Sequence, residues 1–414
     1  MAHLVIGAGV VGLHIAYYLQ QAGEEVVIID KDNADNNCSF GNAGYISPSH
    51  FIPLATPGIV WQGLKWMMDS TSPFYIKPRF NGNLIKWAYH FYKCASSKTV
   101  NENAPHLYNL LKLSRSLTID LHAQLGQSFD LWLDGCLMLY TQKETERHEK
   151  ELAYLAEKEY GMNVPILDFN MLQKMDGLIS KNVIGATYYE LDCHLHPRQM
   201  MERLKANLLS KGVQFCLQED VLEFEKSGQK VSYVISQNRR IAVNNLIIAA
   251  GSWSSLLSEK LGISLLLEAG KGYSYTYKNQ ENNIKYPSIL VDHRVAMTPF
   301  GKDLRVGGTM ELGGLNLKIS SKRIPPIIDA TNHYFDQLNL PIPSMDEVWA
   351  GLRPVSPDGL PYIGKDDHHD NVFVACGHAM IGISSAAATG HLLTQMILGQ
   401  KTDIEMNAFR VNRF

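Results

Sequence analysis

Three glycines close to the start of the chain have the spacing of a phosphate-binding turn. They lie in the run Gly7–Gly12, after the apolar stretch Leu4–Ile6 and before residues typical of a helix. A second apolar stretch, Val26–Ile29, leads directly to Asp30. In a strand–turn–helix–strand unit, such glycines permit a tight turn, close approach of the backbone to a pyrophosphate, and close packing of helix on strand. The free N–H groups at the helix start favour a phosphate. The pattern therefore predicts a dinucleotide site in which Asp30 accepts hydrogen bonds from ribose hydroxyls.

The composition excludes several classes of protein. The chain has 414 residues, enough for two domains, and its formal net charge of −3 gives no basic field that would attract nucleic acid. The six cysteines form no Cys-x-x-Cys pair and have no metal-ligand spacing, which indicates reduced, structural thiols and no metal. Only three residues precede the first strand and no apolar run is long enough to cross a bilayer. We therefore expect a cytoplasmic protein without a signal peptide.

The residues that follow Asp30 differ from those of a regular doubly wound sheet. Segment 32–44 is rich in Asn, Asp, Ser and Gly, a composition typical of an ordered loop. We expect this loop to run beside the far end of the bound cofactor. A nicotinamide-dependent dehydrogenase would continue here with regular βαβ units, so the loop argues against that class.

Two later apolar strands also end in small residues. Asn245–Gly251 and Asn371–Gly377 are typical of strands that approach a cofactor closely, where Ala and Gly leave room for it. The second leads into the small-residue helix Ile381–Leu393, which must pack tightly. Residues 268–312 alternate in the manner of an antiparallel sheet. Helical periodicity is clearest over 105–126, 144–160 and 197–209.

These elements predict an α/β protein with two domains. The first is a Rossmann-like cofactor-binding domain, discontinuous in sequence and formed by 1–56, 190–262 and 345–414. The second is an α+β substrate domain with an antiparallel sheet, inserted as 57–189 and 263–344.

Five further segments carry a family resemblance. They are 39–48 (SFGNAGYISP), Lys271–Ser274, Val295–Thr298, Arg305–Gly308 and Gly351–Pro361. Together with the glycine motif they resemble the flavin-dependent amino-acid oxidoreductase superfamily, which includes D-amino-acid oxidases, glycine and sarcosine oxidases and D-amino-acid dehydrogenases. The similarity extends over essentially the whole chain and is closest to the D-amino-acid dehydrogenases.

The resemblance implies bound FAD, with its adenosine end at Gly7–Asp30 and its flavin near 42–47 and 377–383. Sarcosine-oxidase-like members anchor their flavin through a cysteine shortly before the late loop, but no Cys occurs between 217 and 375 here. Non-covalent FAD is therefore implied. The candidate cofactor-binding residues are Gly7, Ala8, Gly9, Val10, Gly12, Asp30, Lys31, Ser39, Asn42, Ala43, Gly44, Ile46, Val221, Ala250, Gly251, Trp253, Gly377, His378, Met380, Ile381, Gly382 and Ile383.

The resemblance also implies a reaction, in which a hydride passes from the substrate Cα to flavin N5 and leaves an imine that hydrolyses to a keto acid. The substrate is then a D-amino acid or a cyclic imino acid such as a hydroxy-D-proline. Two alternatives stay open: a glycine- or sarcosine-type amine oxidase that uses oxygen, and a non-catalytic flavin-binding subunit of a larger dehydrogenase complex. Quinone and oxygen both stay open as electron acceptors.

One motif departs from the dehydrogenase pattern. The last helix of the dehydrogenases usually begins with Gly-His-Gly and carries Trp, whereas this chain has Gly377-His378-Ala379-Met380. The segment is closer to glycine-oxidase-like and hydroxyproline-oxidising members. It therefore leaves both the preferred substrate and the acceptor undecided.

Three side chains are candidates for contact with the substrate. Arg353 occupies the position that binds the substrate carboxylate in the resembling oxidases, and a guanidinium suits a carboxylate through two parallel hydrogen bonds. The alternative is a structural ion pair with an acid such as Asp358. Tyr273 is a candidate hydroxyl donor to the same carboxylate, or else an ordinary cross-strand aromatic. His50, just after the predicted flavin loop, is a candidate to line the active site or contact the amine, or else an incidental histidine of the loop.

Residues 57–98 combine aromatic, methionine and basic side chains. A basic amphipathic surface can lie on an anionic membrane, which suits a dehydrogenase that passes electrons to quinone. The alternative is a helical layer that packs on the substrate domain and keeps its lysines in solvent. Peripheral contact with the inner face of the membrane therefore stays open.

Overall fold

The computed structural model describes residues 1–61, 63, 74–77, 79 and 82–414. Within this part of the chain the strands are β1 (His3–Ile6), β2 (Val26–Asp30), β3 (Tyr45–Ile46), β4 (Phe74–Ile76), β5 (Leu131–Trp132), β6 (Cys136–Tyr140), β7 (Ile166–Asp168), β8 (Gly185–Tyr189), β9 (Cys193–Leu195), β10 (Gln214–Leu217), β11 (Val221–Ser227), β12 (Lys230–Ser236), β13 (Arg240–Ala242), β14 (Leu246–Ile248), β15 (Glu268–Tyr277), β16 (Ser288–Leu290), β17 (Val295–Phe300), β18 (Asp303–Leu312), β19 (Trp349–Val355), β20 (Tyr362–Lys365) and β21 (Val372–Cys376). The helices include α1 (Val10–Gln21), α2 (Gly82–Cys94), α3 (Ser97–Gln124), α4 (Lys143–Tyr160), α5 (Phe169–Met175), α6 (Pro197–Ser210), α7 (Ser254–Glu259), α8 (Pro325–Tyr334) and α9 (Gly382–Ile397).

The first large sheet has the order β10-β2-β1-β14-β21-β20. Its neighbours are parallel from β10 to β21, and β20 is antiparallel to β21. The start, the middle and the end of the chain each supply two strands to it. The prediction that three separate stretches return to one sheet is therefore confirmed, and so is the α/β fold class.

Helix α1 packs closely on both sides because glycines leave room for its backbone. A Cβ added at Gly12 would lie 1.9 Å from the carbonyl oxygen of Gly7, which itself adopts a φ of +115°. On the other side, a Cβ at Gly390 of α9 would lie 2.6 Å from the carbonyl carbon of His14. The predicted tight packing of the small-residue helix is thus observed, and its partner is the dinucleotide-type helix.

The second large sheet has the order β19-β15-β18-β17-β16-β6-β8-β7, with β4 beside β18. The predicted antiparallel sheet within 268–312 is confirmed by the pairing of β15, β17 and β18. Strand β19 pairs with β15 rather than with the parallel sheet, although it belongs to the segment 345–414. The domain boundaries inferred from the sequence remain a prediction.

The three helices predicted from periodicity are present, and one begins earlier than predicted. Helix α3 starts at Ser97 because the hydroxyl of Ser96 accepts a hydrogen bond from the backbone N–H of Thr99 at 3.2 Å. Helix α4 ends before Gly161, whose φ of +64° closes it. Segment 32–44 contains no helix or strand, as expected. None of the described helices combines the length and the apolar character that crossing a membrane requires.

Candidate active site

A cavity of about 1040 Å³ lies between the two large sheets. The carboxyl ends of β1, β2, β14 and β21 line one side of it, together with the loop after β2 and the start of α9. Strands β15, β17, β18 and β19 line the other side. The cavity therefore lies where ligands bind in open parallel sheets, beyond the carboxyl ends of the strands.

The end of the cavity next to α1 has the features of a dinucleotide site. A Cβ added at Gly9 would meet only the Ser39 hydroxyl within 4 Å, at 3.7 Å, so the glycine leaves the space in front of the helix open. The Asp30 carboxylate accepts hydrogen bonds from the N–H groups of Ala8 at 2.6 Å and Asp32 at 2.9 Å. Each carboxylate oxygen retains a further lone pair for a ribose hydroxyl.

Two further side chains define the outer part of this end. The ammonium of Lys31 lies 4.1 Å from the ring centroid of Trp253, and both residues line the cavity with Val221. The combination of a cation, an aromatic ring and an apolar wall suits the adenosine part of a dinucleotide. Together with the open space at Gly9, these residues fit FAD.

The loop after β2 and the start of α9 meet at the centre of the cavity. The Ser384 hydroxyl donates to the carbonyl oxygen of Tyr45 at 2.6 Å and accepts from the N–H of Ser47 at 3.2 Å. His378 is buried, with Nε2 3.0 Å from the Thr389 hydroxyl. Burial lowers the pKa of His378 to about 3, so its ring is neutral at physiological pH. These contacts hold the loop that the sequence assigns to the flavin against a helix N-terminus.

The structure brings most of the candidate cofactor residues to this one cavity. Those that line it are Gly7, Gly9, Val10, Asp30, Lys31, Ser39, Asn42, Ala43, Val221, Ala250, Gly251, Trp253, His378, Met380, Ile381, Gly382 and Ile383. The candidates that do not line it are Ala8, Gly12, Gly44, Ile46 and Gly377. Two of these residues shape the backbone instead: the N–H of Ala8 donates to the Asp30 carboxylate, and Gly12 packs on Gly7. The cofactor contacts themselves remain predictions.

Arg353 reaches the cavity with a guanidinium that pairs with no carboxylate of the described residues. Nη1 donates to the carbonyl oxygen of Thr309 at 2.6 Å, and within the described part of the chain Arg353 forms no ion pair. Burial lowers the pKa of Arg353 to about 10, so it is still charged at neutral pH. The alternative partner Asp358 is engaged by Arg413, with Nε–Oδ2 and Nη2–Oδ1 distances of 2.7 and 2.9 Å. The interpretation of Arg353 as a structural partner of Asp358 is therefore excluded.

Tyr273 also lines the cavity, but its hydroxyl is committed elsewhere. The hydroxyl donates to Glu311 Oε2 at 3.0 Å and accepts from the N–H of Ser320 at 3.2 Å. Glu311 is paired in turn with the buried Lys271 at 3.2 Å. Since a tyrosine has a single hydroxyl proton, this geometry does not favour Tyr273 as a donor to a substrate carboxylate.

His50 lines the cavity at the end of the loop after β2. Its Nδ1 lies 3.1 Å from the Ser49 hydroxyl, which donates to Asp192 Oδ2 at 2.6 Å. Burial lowers the pKa of His50 to about 4. The imidazole is thus neutral at physiological pH and able to accept a proton.

Several residues at the cavity were not identified from the sequence. Arg305 donates from Nη1 to the carbonyl oxygens of Phe40 at 3.0 Å and Asn42 at 2.6 Å, which fixes the predicted flavin loop. Its segment was part of the resemblance, but its partner is remote in sequence. Glu149 is 6% exposed and lines the cavity. No signal distinguished it from the other acids of the charged helix α4.

The basic aromatic segment 57–98 is described only in part. Lys65 and Trp66–Met68 lie outside the described residues. Of the remainder, Trp87 and Phe91 of α2 line the cavity, while Tyr89 and Tyr92 of the same helix are exposed. The described part of the segment therefore combines a wall of the cavity with an exposed apolar face.

Comparisons with known proteins agree with this geometry. The sequence model of the family described as FAD dependent oxidoreductase (DAO) matches residues 3–396. The D-amino acid dehydrogenase of Granulibacter bethesdensis is 30% identical over 426 residues and covers 100% of both chains. The D-amino acid dehydrogenase of Vibrio vulnificus strain CMCP6 is 31% identical over 417 residues, 97% of each chain.

Solved structures show the same fold at lower identity. Glycine oxidase from Geobacillus kaustophilus aligns with a TM-score of 0.81 and 19% identity, over 99% of this chain and 98% of its own. L-proline dehydrogenase from P. horikoshii aligns with a TM-score of 0.79 and 18% identity, over 100% and 97%. At these identities the similarity establishes the fold and not the substrate.

Proposed function

This chain belongs to the FAD-dependent oxidoreductase family, and on that premise we propose that it oxidises the Cα–N bond of a D-amino acid or of a cyclic imino acid such as a hydroxy-D-proline. FAD, when bound, accepts the hydride from the substrate Cα. The protein binds the substrate, orients it and excludes water. Two full-length relatives with about 30% identity are D-amino acid dehydrogenases, which supports the D-amino acid class.

The observation that carries the proposal is the guanidinium of Arg353, which lines the cavity and pairs with no acid in the described part of the chain. Arg353 is half-buried, and a charge partly removed from water without an acidic partner is costly. A substrate carboxylate would supply that partner. One N–H group already donates to Thr309, which leaves the other groups of the fork for a carboxylate. A fixed carboxylate places the adjacent Cα at a defined position, which is the orientation that a hydride transfer needs.

The cofactor is proposed to be held without a covalent bond. The motif that anchors flavin in sarcosine-oxidase-like members is missing from this sequence, and the thiols that do line the cavity, Cys38 and Cys376, have pKa values raised by burial. A neutral thiol is a poor nucleophile. We expect FAD to remain in the supernatant when the protein is precipitated with acid.

The electron acceptor is proposed to be a quinone reached at the inner face of the membrane, with the protein in the cytoplasm. Helix α2 supports this proposal. Its exposed face carries Ile85, Tyr89 and Tyr92, with Lys86 and Lys93 beside them. Its opposite face lines the cavity. Exposed apolar side chains next to lysines favour an anionic lipid surface. Co-sedimentation with anionic vesicles at low salt tests this, with Ile85→Asp as the disrupting variant and Leu209→Asp, on the exposed end of α6, as the control.

The experiment that tests the reaction is anaerobic mixing of the holoenzyme with a panel of D- and L-amino acids, glycine, sarcosine and proline derivatives. We expect D-amino acids or D-configured imino acids to bleach the flavin absorbance. Bleaching by glycine and sarcosine alone would replace the proposal with the amine-oxidase alternative. A panel without any bleaching would favour the non-catalytic subunit. Reoxidation with oxygen or with a quinone analogue then identifies the acceptor.

A further inference from the structure

We propose that His50, Ser49 and Asp192 form a proton relay that takes the proton from the substrate amino group; this rests on the oxidation proposed above. Hydride departure from Cα requires the nitrogen lone pair, so a substrate ammonium must first lose a proton. His50 and Ser49 line the cavity, and Asp192 lies behind them, fully buried. The three groups therefore connect the substrate space with a carboxylate that water does not reach.

The hydrogen bonds define the direction of the relay. Ser49 donates its hydroxyl proton to Asp192 Oδ2 at 2.6 Å, and its backbone N–H donates to Asp192 Oδ1 at 3.1 Å. The Ser49 oxygen can then only accept from His50 Nδ1, 3.1 Å away. Because Nδ1 carries the proton in this arrangement, Nε2 is the unprotonated nitrogen and is free to accept one.

The proton transfer is balanced along this path. An N–H bond of the substrate ammonium breaks and an Nε2–H bond forms on His50. The Nδ1 proton passes to the Ser49 oxygen, whose own proton passes to Asp192 Oδ2. No atom changes its oxidation state in these proton transfers. The substrate becomes a neutral amine, and Asp192 becomes a neutral carboxylic acid. When product leaves, the proton returns by the same path to water in the cavity.

The pKa values of His50 and Asp192 favour proton transfer from the imidazole ring to the carboxylate. Burial lowers the pKa of His50 to about 4 and raises that of Asp192 to about 7, against the opposing effects of the Ser49 hydrogen bonds and the charge of Arg115. A proton that reaches the ring is therefore passed on to the carboxyl group. The titratable neighbours of Asp192 are Tyr189, Cys136 and Cys193, and burial raises the pKa of each above its ordinary value.

The test is the pH dependence of anaerobic flavin reduction by a reactive D-amino acid in four variants. Ser49→Ala and Asp192→Asn interrupt the relay, Ser49→Thr retains the hydroxyl, and Ser258→Ala removes a buried hydroxyl outside the cavity. At about pH 7 the first two should reduce flavin at least ~10-fold more slowly than wild type, a size typical of acid–base assistance. Above about pH 10, where the amine is largely deprotonated in solution, the deficit should fall below ~2-fold. Ser49→Thr should recover most of the rate that Ser49→Ala loses at about pH 7, and Ser258→Ala should follow wild type throughout.

A purely structural role would slow the reaction equally at every pH, so a pH-independent deficit overturns the relay. Wild-type rates in Ser49→Ala at about pH 7 overturn it as well. Infrared titration gives a readout independent of turnover, in a Glu149→Gln background that removes the other carboxyl group with a pKa of about 7. The remaining carbonyl band of a protonated carboxyl should disappear with a midpoint near 7 and be missing when Asp192→Asn is added. If the wild-type flavin is bleached by D-amino acids while these results fail, only the relay is wrong. If no amino acid bleaches it, the proposed reaction itself has failed.

Discussion

Arg353 Nη1 donates a hydrogen bond of 2.6 Å to the carbonyl oxygen of Thr309. The two residues lie on β19 and β18, with β15 between them, so the arginine side chain crosses the neighbouring strand. The crossing passes over Gly272 of β15, where a Cβ would lie 2.1 Å from Nη1. Thr309 adopts a φ of +70°, an unfavourable conformation for a β-branched residue. The carbonyl group of Thr309 therefore holds the guanidinium at the cavity, and Gly272 leaves the space through which the side chain passes.

Replacement of this cation should weaken the interaction with the substrate without removing the cofactor. We expect Arg353→Leu to purify as a yellow, FAD-containing protein whose kcat/KM falls roughly 10²- to 10³-fold, which corresponds to about 3–4 kcal/mol of lost interaction with a carboxylate. Arg353→Lys should retain part of the activity, since it keeps the charge but not the planar fork. Arg240→Leu, on an exposed ion pair with Glu225, is the control. Normal turnover in Arg353→Leu would remove this residue from the clamp.

Gly272→Ala tests the path of the arginine rather than its charge. The added methyl group would occupy the space of the guanidinium, 2.1 Å from Nη1, so Arg353 must leave its position over β15. We expect the loss of kcat/KM to approach that of Arg353→Leu, with FAD content unchanged. Because both changes act on the same interaction, the double variant should be no worse than Arg353→Leu alone. Full additivity of the two effects would contradict this geometry.

Two glycines of the dinucleotide turn should respond differently to alanine. In Gly12→Ala the methyl group would lie 1.9 Å from the Gly7 carbonyl oxygen, so we expect a loss of about 1–3 kcal/mol in the free energy of unfolding. In Gly9→Ala the nearest atom is the Ser39 hydroxyl at 3.7 Å. This variant should keep the stability of the apoprotein and lose FAD affinity, because the methyl group occupies the cofactor space. Urea denaturation of the apoproteins and FAD titration separate the two effects.

Glu149 should make stability fall with rising pH. Burial raises its pKa to about 7, whereas an unfolded glutamate titrates near ~4.3. Between these values the unfolded chain ionises while the folded one keeps the neutral acid, so the free energy of unfolding decreases with pH across this window. Above about pH 7 the carboxyl group is ionised in both states, and the folded state carries the full cost of burying the charged carboxylate. The free energy of unfolding of Glu149→Gln relative to wild type should therefore increase by on the order of 1–3 kcal/mol between about pH 4.5 and about pH 8.

The matched control for this measurement is Glu151→Gln, on the exposed face of the same helix. Its stability difference from wild type should stay small at every pH, because an exposed carboxylate keeps its hydration in both states. A difference between Glu149→Gln and wild type that does not vary with pH would show that Glu149 is ionised without penalty.

The parts of the fold predicted well are those whose signals are local. The β1–α1–β2 unit and the end of α4 at Gly161 follow from short patterns of apolar residues and glycine. The start of α3 was predicted too late, because its amino-terminal turn depends on the cap at Ser96 rather than on apolar periodicity. The pairing of β19 with β15 has no local signal, since strand partners are chosen by tertiary packing.

In the candidate site, too, the sequence identified residues but not the contacts that tertiary packing gives them. Arg353, Tyr273 and His50 all line one cavity, but their sequence patterns did not reveal the state of their polar atoms. Glu311 accepts a hydrogen bond from the Tyr273 hydroxyl, and no motif connects these two residues. The proposed proton relay from His50 depends on Asp192, which lies 142 positions later in the chain.

The sequence by itself determined the dinucleotide unit and the small-residue helix, because glycine spacing and apolar periodicity are properties of neighbouring residues. The family followed from the resemblance of its motifs to those of known members. Only the tertiary structure decided which charges are neutralised. Arg413 pairs with Asp358, so Arg353 has no acidic partner among the residues that the structure describes. Helix α4 buries Glu149 at the cavity. Ion pairing and desolvation depend on distances of a few ångströms between segments far apart in the chain, and sequence spacing does not carry those distances.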